Sequence, residues 1–154
     1  MASISVSREI NASPDRVFEV FADLHKAPER VKGIKSLEVL TDGPISNGTR
    51  FRETRVMFGK EATEEMEFTA FEPGRRYVVS ADSHGSKYRT EYTFDPVEGG
   101  AGAQTRVTLH FEATPYSFLA KMMTPMAKMM TKSVAKLCLQ DMDDLKAHIE
   151  GSGV

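Results

Sequence analysis

The feature that most restricts what this chain can fold into is a change of period. From residue 35 to 113, apolar and polar residues alternate in six successive segments, 35–40, 49–58, 61–71, 76–83, 86–94 and 104–113. Alternation at period two places one face of each segment on a core and the other in water, as half-buried antiparallel strands require. The connections carry turn chemistry, including Asp42-Gly43-Pro44, Asn47-Gly48 and Pro73-Gly74, and suit hairpins between neighbouring strands. The segment EGGAGAQ (98–104) reads as a flexible turn, because it leads into a strand and not into the helix that a phosphate-cradling loop needs.

The flanks supply the other elements. Residues 3–10 alternate and predict one more strand, with Ile4, Val6 and Ile10 on one face. In NASPDRVFEVFADL, Ser13 can cap free amides and Pro14 suits the first helical position. Val17, Val20, Phe21 and Leu24 then follow helical spacing, and Pro28 opens a second short helix ending near Gly33. Towards the C-terminus, Met123, Ala127, Met130, Val134, Leu137, Cys138, Leu145 and Ile149 form one apolar stripe at helical period. Thr124-Pro125 suits a helix start, so a long helix is expected over about 125–149, with YSFLAKMM before it as a separate turn of helix. The apolar face of the sheet must be covered, and this helix is the expected cover.

Charge patterning sets two hairpin registers. A two-residue turn at Gly59-Lys60 places Arg52 opposite Glu67, Arg55 opposite Glu64, and Phe51 opposite Phe68. A turn at His84-Gly85 places Asp82 opposite Lys87, Tyr77 opposite Tyr92, and Ala81 opposite Tyr88. Cross-strand pairs of opposite charge or of aromatic rings each stabilise by about 0.2–1 kcal/mol.

The sum of these elements is α+β. A curved antiparallel sheet of seven strands wraps a long C-terminal helix, and two short helices lie between the first and second strands, as in a helix-grip fold. Several stretches resemble the START-like (SRPBCC) superfamily in order, in its polyketide cyclase/dehydrase and lipid-transport branch. NASPDRVFEVFAD is similar to its first helix and NGTRF to the opening of its third strand. FEPGRRY is similar to the turn after its fourth strand, and TRVTLHFEAT and DMDDLKAHIE to its last strand and the end of its final helix. The resemblance spans about residues 3–150, so residues 1–154 are expected to form one such domain. It implies a cavity between sheet and helix that takes an apolar ligand. All of these motifs are architectural, and none specifies a reaction.

Composition removes several classes of function. Basic and acidic residues are interleaved with a formal net charge of −2, so no basic stripe offers itself to nucleic acid. A single cysteine, Cys138, excludes an intrachain disulfide and a multi-cysteine zinc site. His25, His84, His110 and His148 share no metal-ligand spacing, and neither a metal nor a cofactor is expected. The start of the chain lacks signal-peptide character, and no run approaches the length of a transmembrane helix, so the expected location is cytoplasmic.

The candidate ligand-binding residues follow from the faces. The meander contributes Phe51, Met66, Phe68, Val79 and Phe94, the last strand Leu109 and Phe111, and the C-terminal stripe Met123, Met126, Met130 and Val134. Polar candidates are Tyr77, Tyr88, Tyr92, Thr90 and the pair Arg55–Glu64. Asp141 falls oddly within the apolar stripe, where a hydrogen bond to a strand end or loop is expected. Three functions fit this set. The first is binding or transport of a lipid, isoprenoid, quinone or polyketide-like molecule, with no residue assigned to catalysis. The second is a cyclase or dehydratase in which Tyr88, Arg55 or Glu53 polarises a carbonyl or moves a proton. The third is an interaction module that meets a membrane or protein partner through Met122 and Met129 of the methionine-rich KMMTPMAKMM.

Overall fold

In the computed structural model, which describes residues 2–98 and 102–152, the strands are β1 (Ala2–Ile10), β2 (Ile34–Val39), β3 (Arg50–Met57), β4 (Lys60–Glu72), β5 (Arg76–Ser83), β6 (Ser86–Pro96) and β7 (Thr105–Pro115). They form one antiparallel sheet in the order β1-β7-β6-β5-β4-β3-β2. The meander is therefore consecutive, and β1 closes it by pairing with β7. Register shifts between Ile34 and Ser36 and between Phe68 and Ala70 bend the sheet around its apolar face. The turn expected over 98–104 lies in part outside the described residues.

Between β1 and β2 run α1 (Pro14–Ala22) and α2 (Ala27–Arg30). Ser13 caps α1 by accepting from the Arg16 amide at 3.3 Å, and Pro14 occupies a position where no donor is needed. The buried face of α1 carries Val17, Phe18, Val20 and Phe21. Phe18 meets Phe71, Tyr77 and Phe94 edge-on, with centroids 5.2, 5.7 and 5.1 Å apart, so α1 seals one end of the sheet.

The β5–β6 hairpin has the register that the turn at His84-Gly85 predicts, with Tyr77 opposite Tyr92 and Asp82 opposite Lys87. The β3–β4 hairpin differs. Its turn is Phe58-Gly59, with Met57 opposite Lys60, so Arg52 faces Glu65, Phe51 faces Met66, and Arg55 faces Ala62 in place of Glu64. Both turn residues need positive φ, here 53° and 77°, and Gly59 takes the second position at no steric cost. The shift is by two residues, so every side chain keeps its face.

The C-terminal segment also departs from expectation. The separate turn expected over YSFLAKMM is α3 (Phe118–Met122), but the single helix expected from about 125 is two, α4 (Thr124–Met129) and α5 (Thr131–Ser152). Met123 and Met130 each cap the preceding helix in an αR conformation with ψ 0°, so the segment is divided at these two residues. The stripe is thus interrupted at Met130. Gly85 holds the start of α3, since its carbonyl accepts from the Tyr116 and Ser117 amides.

Helix α5 lies along the concave face. Met142 and Ile149 are fully buried in the core with Leu145. Arg8 of β1 pairs with Asp143 at 2.8 Å, and the Lys32 and Asn11 amides donate to Asp144 and Glu150. These contacts tie the helix to both ends of the grip.

Candidate functional site

Sheet and helix do not close completely on each other. Between them lies a cavity of about 500 Å³, walled by aromatic and aliphatic side chains. The sheet presents Phe51, Met66, Phe68, Tyr77, Val79, Tyr88, Thr90, Tyr92, Leu109 and Phe111, and the helix presents Met130 and Val134. Arg55 and Glu64 also line it. Three candidates do not. Phe94 is buried behind the wall against Phe18 and Phe21, while Met123, between α3 and α4, and Met126 of α4 are exposed. A larger depression of about 660 Å³ lies on the other face of the sheet. Its floor is mostly charged and hydroxyl side chains that bond one another, such as Arg50 with Glu65 and Thr69 with Ser80, so it offers little to an apolar ligand.

Sequence reasoning missed part of the wall. Val20, Phe21, Leu24, Ala27 and Val31 of the α1–α2 region line the cavity, as do Ile34, Leu37, Leu137, Cys138 and Leu145. The amphipathic spacing of α1 was the available signal for the first of these. It marks an apolar face without saying whether that face meets core or open space.

The polar centre of the cavity is an acid–base cluster that joins sheet to helix. Arg55 Nε donates to Glu53 Oε1 at 2.9 Å, while Nη1 and Nη2 donate to the two Asp141 oxygens at 3.2 and 2.9 Å. The three side chains are only 17%, 15% and 21% exposed for Arg55, Glu53 and Asp141. The expected Arg55–Glu64 pair is absent; Glu64 instead accepts from Ser83 Oγ at 3.0 Å. Asp141 bonds neither a strand end nor a loop backbone, but the guanidinium itself in a two-pronged pairing.

Burial raises the Asp141 carboxyl above its ordinary range, and Arg55 opposes that rise. Burial acts against the charged guanidinium too, yet Glu53 and then Asp141 outweigh it, so Arg55 stays charged. Tyr77 and Tyr92 stand with ring centroids 4.8 Å apart. Burial pushes both phenols far above the usual value; the Glu53 and Asp141 carboxylates add to this for Tyr77. Both therefore remain hydroxyl donors, and Tyr77 reaches the Phe21 carbonyl at 3.5 Å. Burial, reinforced by Asp141, raises the Cys138 thiol to about 11, which keeps it in the unreactive protonated form at neutral pH.

The mouth lies where the β3–β4 turn approaches the α4–α5 junction, since half-exposed Phe58 and Met130 both line the cavity. Beside it, α3 and α4 expose Phe118, Leu119 and Met126, together with Met122 and Met129 at 62% and 84%. Of the four histidines, His25 and His84 are exposed, and His110 Nε2 lies 2.9 Å from Glu112. No helix among the described residues is long and apolar enough to cross a membrane.

A seven-stranded sheet gripping a C-terminal helix around an apolar cavity defines a START-like, helix-grip protein. The chain belongs to the polyketide cyclase/dehydrase and lipid-transport family, whose model matches residues 1–150. Among curated proteins, none matches its sequence. Solved structures with the same fold include a START superfamily protein from Mycobacterium smegmatis, with TM-score 0.69, 17% identity and 97% of each chain covered. TTHA0849 from Thermus thermophilus is similar over 96% of this chain and 99% of its own, with TM-score 0.67 and 22% identity. The di-domain ARO/CYC protein BexL of the BE-7585A biosynthetic pathway is similar over 97% of this chain and 47% of its own, with TM-score 0.72 and 13% identity.

Proposed function

We propose that this protein binds a hydrophobic or amphipathic small molecule, of lipid, isoprenoid, quinone or polyketide type, in the cavity between sheet and helix. The observation that carries the reading is the apolar volume of about 500 Å³, within the range of pockets that enclose whole small molecules. Apolar walls of this extent supply dispersion contacts to a hydrophobic molecule that fits between them. Holding is favoured over turnover, because two of the three groups a cyclase would use are engaged, Glu53 with Arg55 and Arg55 also with Asp141, which leaves only Tyr88 of the three in the wall. The test is native mass spectrometry of freshly purified protein together with titration of the neutral dye Nile red. A co-purified small molecule or saturable dye binding is expected. Val134→Trp, which places an indole into the cavity, should weaken dye binding at least about tenfold, a difference of about 1.4 kcal/mol. Saturable binding that ignores the indole would remove the cavity as the site.

A second reading concerns the surface beside the mouth. Phe118, Leu119, Met122 and Met129 are exposed on α3 and α4. Lys121, Lys128, Lys132 and Lys136 accompany them, and no acidic residue occurs between 113 and 140. Apolar side chains ringed by lysine suit an anionic lipid surface. On this reading the segment rests on the bilayer while ligand passes Met130. Flotation with phosphatidylglycerol vesicles should carry the protein, and Phe118→Ser with Met129→Ser should lower the bound fraction several-fold. Protein that stays at the bottom of the gradient sinks this second reading and leaves the first untouched.

A further inference from the structure

We infer that the cavity selects apolar molecules whose polar end donates hydrogen bonds, such as an alcohol or an amine, and rejects those that end in a carboxylate. The inference rests on the cavity reading above and adds the class of ligand. Four charged side chains line the cavity: Arg55, Glu53, Glu64 and Asp141. One cation thus stands among three carboxylates, and among the described residues no lysine or histidine joins them in the wall.

A buried guanidinium in an apolar pocket would ordinarily attract an acidic ligand, because its planar donors match a carboxylate. Here that capacity is already used. Nε faces Glu53, and both terminal nitrogens face Asp141. An incoming carboxylate would have to displace one of these partners and leave it unpaired away from water, beside the remaining acids. Like charges in so dry a place disfavour one another strongly. A hydroxyl or ammonium meets the opposite situation. The oxygens of Glu53, Glu64 and Asp141 each have acceptor capacity beyond the bonds they make, and an added donor relieves the excess of negative charge. Burial is the main reason the Asp141 carboxyl is raised, and the neighbouring Glu53 adds to the rise. Among the wall hydroxyls, Tyr77 already donates to the Phe21 carbonyl, and those of Tyr88, Thr90 and Tyr92 can donate or accept and so do not reverse the preference.

The test uses ligands with one tail and three ends. Dodecanol, dodecylamine and dodecanoate compete against bound Nile red on the full chain, with half-displacement concentrations as the readout. Dodecanoate should need at least about tenfold more than either of the others, the size of effect that 1.4 kcal/mol produces. Asp141→Asn and, on the opposite wall, Glu64→Gln each remove a negative charge and should narrow the gap several-fold. Glu64→Gln leaves the Arg55 cluster whole, so the comparison survives if Asp141→Asn does not fold. Equal displacement by all three ligands in the unaltered protein overturns the selectivity and leaves the cavity reading standing. A gap that Glu64→Gln leaves unchanged also overturns it, because the acids would then not be its cause. Displacement by none of the three overturns the inference, while Nile red binding that Val134→Trp weakens keeps the cavity reading standing.

Discussion

Replacing Arg55 with Met is expected to destabilise the fold by about 3–5 kcal/mol at neutral pH, the usual cost of removing one partner from a buried ionic cluster. The substitution keeps most of the side-chain volume, so the loss comes from charge and hydrogen bonding more than from packing. Glu53 and Asp141, at 15% and 21% exposure, would be left facing each other with no cation between them. The penalty depends on pH, and its sign follows from Asp141. Burial already raises that carboxyl in the intact protein, with Arg55 opposing the rise. Without Arg55 the folded-state pKa climbs further above the unfolded value. A group of this kind contributes stability that is fully present below its unfolded pKa, near pH 4, and lost as pH rises through the folded pKa. The variant's deficit relative to the unaltered protein should therefore shrink as pH is lowered from 7 towards 4. Urea denaturation of both proteins at several pH values reads this directly, and a deficit that stays constant with pH would show that the cluster is not charged as described.

The second large effect separates the packed end of the grip from the open end. Phe18 is 4% exposed and touches three other rings, so Phe18→Ala should cost about 3–5 kcal/mol. Met130→Ala removes a comparable side chain from the cavity mouth, where 38% of it already faces solvent. That change should cost about 1 kcal/mol or less, because no tight packing is lost. Nile red affinity should move the other way round, falling for Met130→Ala and holding for Phe18→Ala under conditions where the latter stays folded. Similar stability losses at the two sites would mean that the mouth is as tightly packed as the core.

Local signals in the sequence carried most of the fold, and the contacts between distant elements did not show in it. Alternation at period two and the Pro-Gly and Asn-Gly turns lie within a few residues of each other, and they carried the meander from end to end. Register at the β3–β4 turn was less determined. Arginines at 50, 52 and 55 face glutamates at 61, 64, 65 and 67, and more than one alignment pairs opposite charges. Backbone geometry decided between them: Gly59 as the second turn residue lets Phe58 take the first, and Arg52 still finds Glu65. The break at Met130 left no mark on the apolar period, since Met130 remains in phase with Val134 and the Val134 amide still donates to its carbonyl. The partnership of Arg55 with Asp141 joins residues 86 positions apart, from different elements. Sequence shows Asp141 as an acid in an apolar stripe, but which cation reaches it depends on how the helix sits in the sheet. The methionine-rich stretch divides for the same reason, with Met130 in the cavity wall and Met122, Met123, Met126 and Met129 outside.

That division lets the methionine methyl groups report where a ligand sits. With methionine methyl groups carrying a carbon-13 label, Met57, Met66 and Met130 report from the cavity wall, Met142 from the closed core, and Met122 and Met129 from the exposed helices. Titration with dodecanol, followed by methyl NMR, should shift the Met57, Met66 and Met130 resonances and leave Met122 and Met129 in place. Shifts confined to Met122 and Met129, with the wall methyls unmoved, would contradict the account and move binding to the surface.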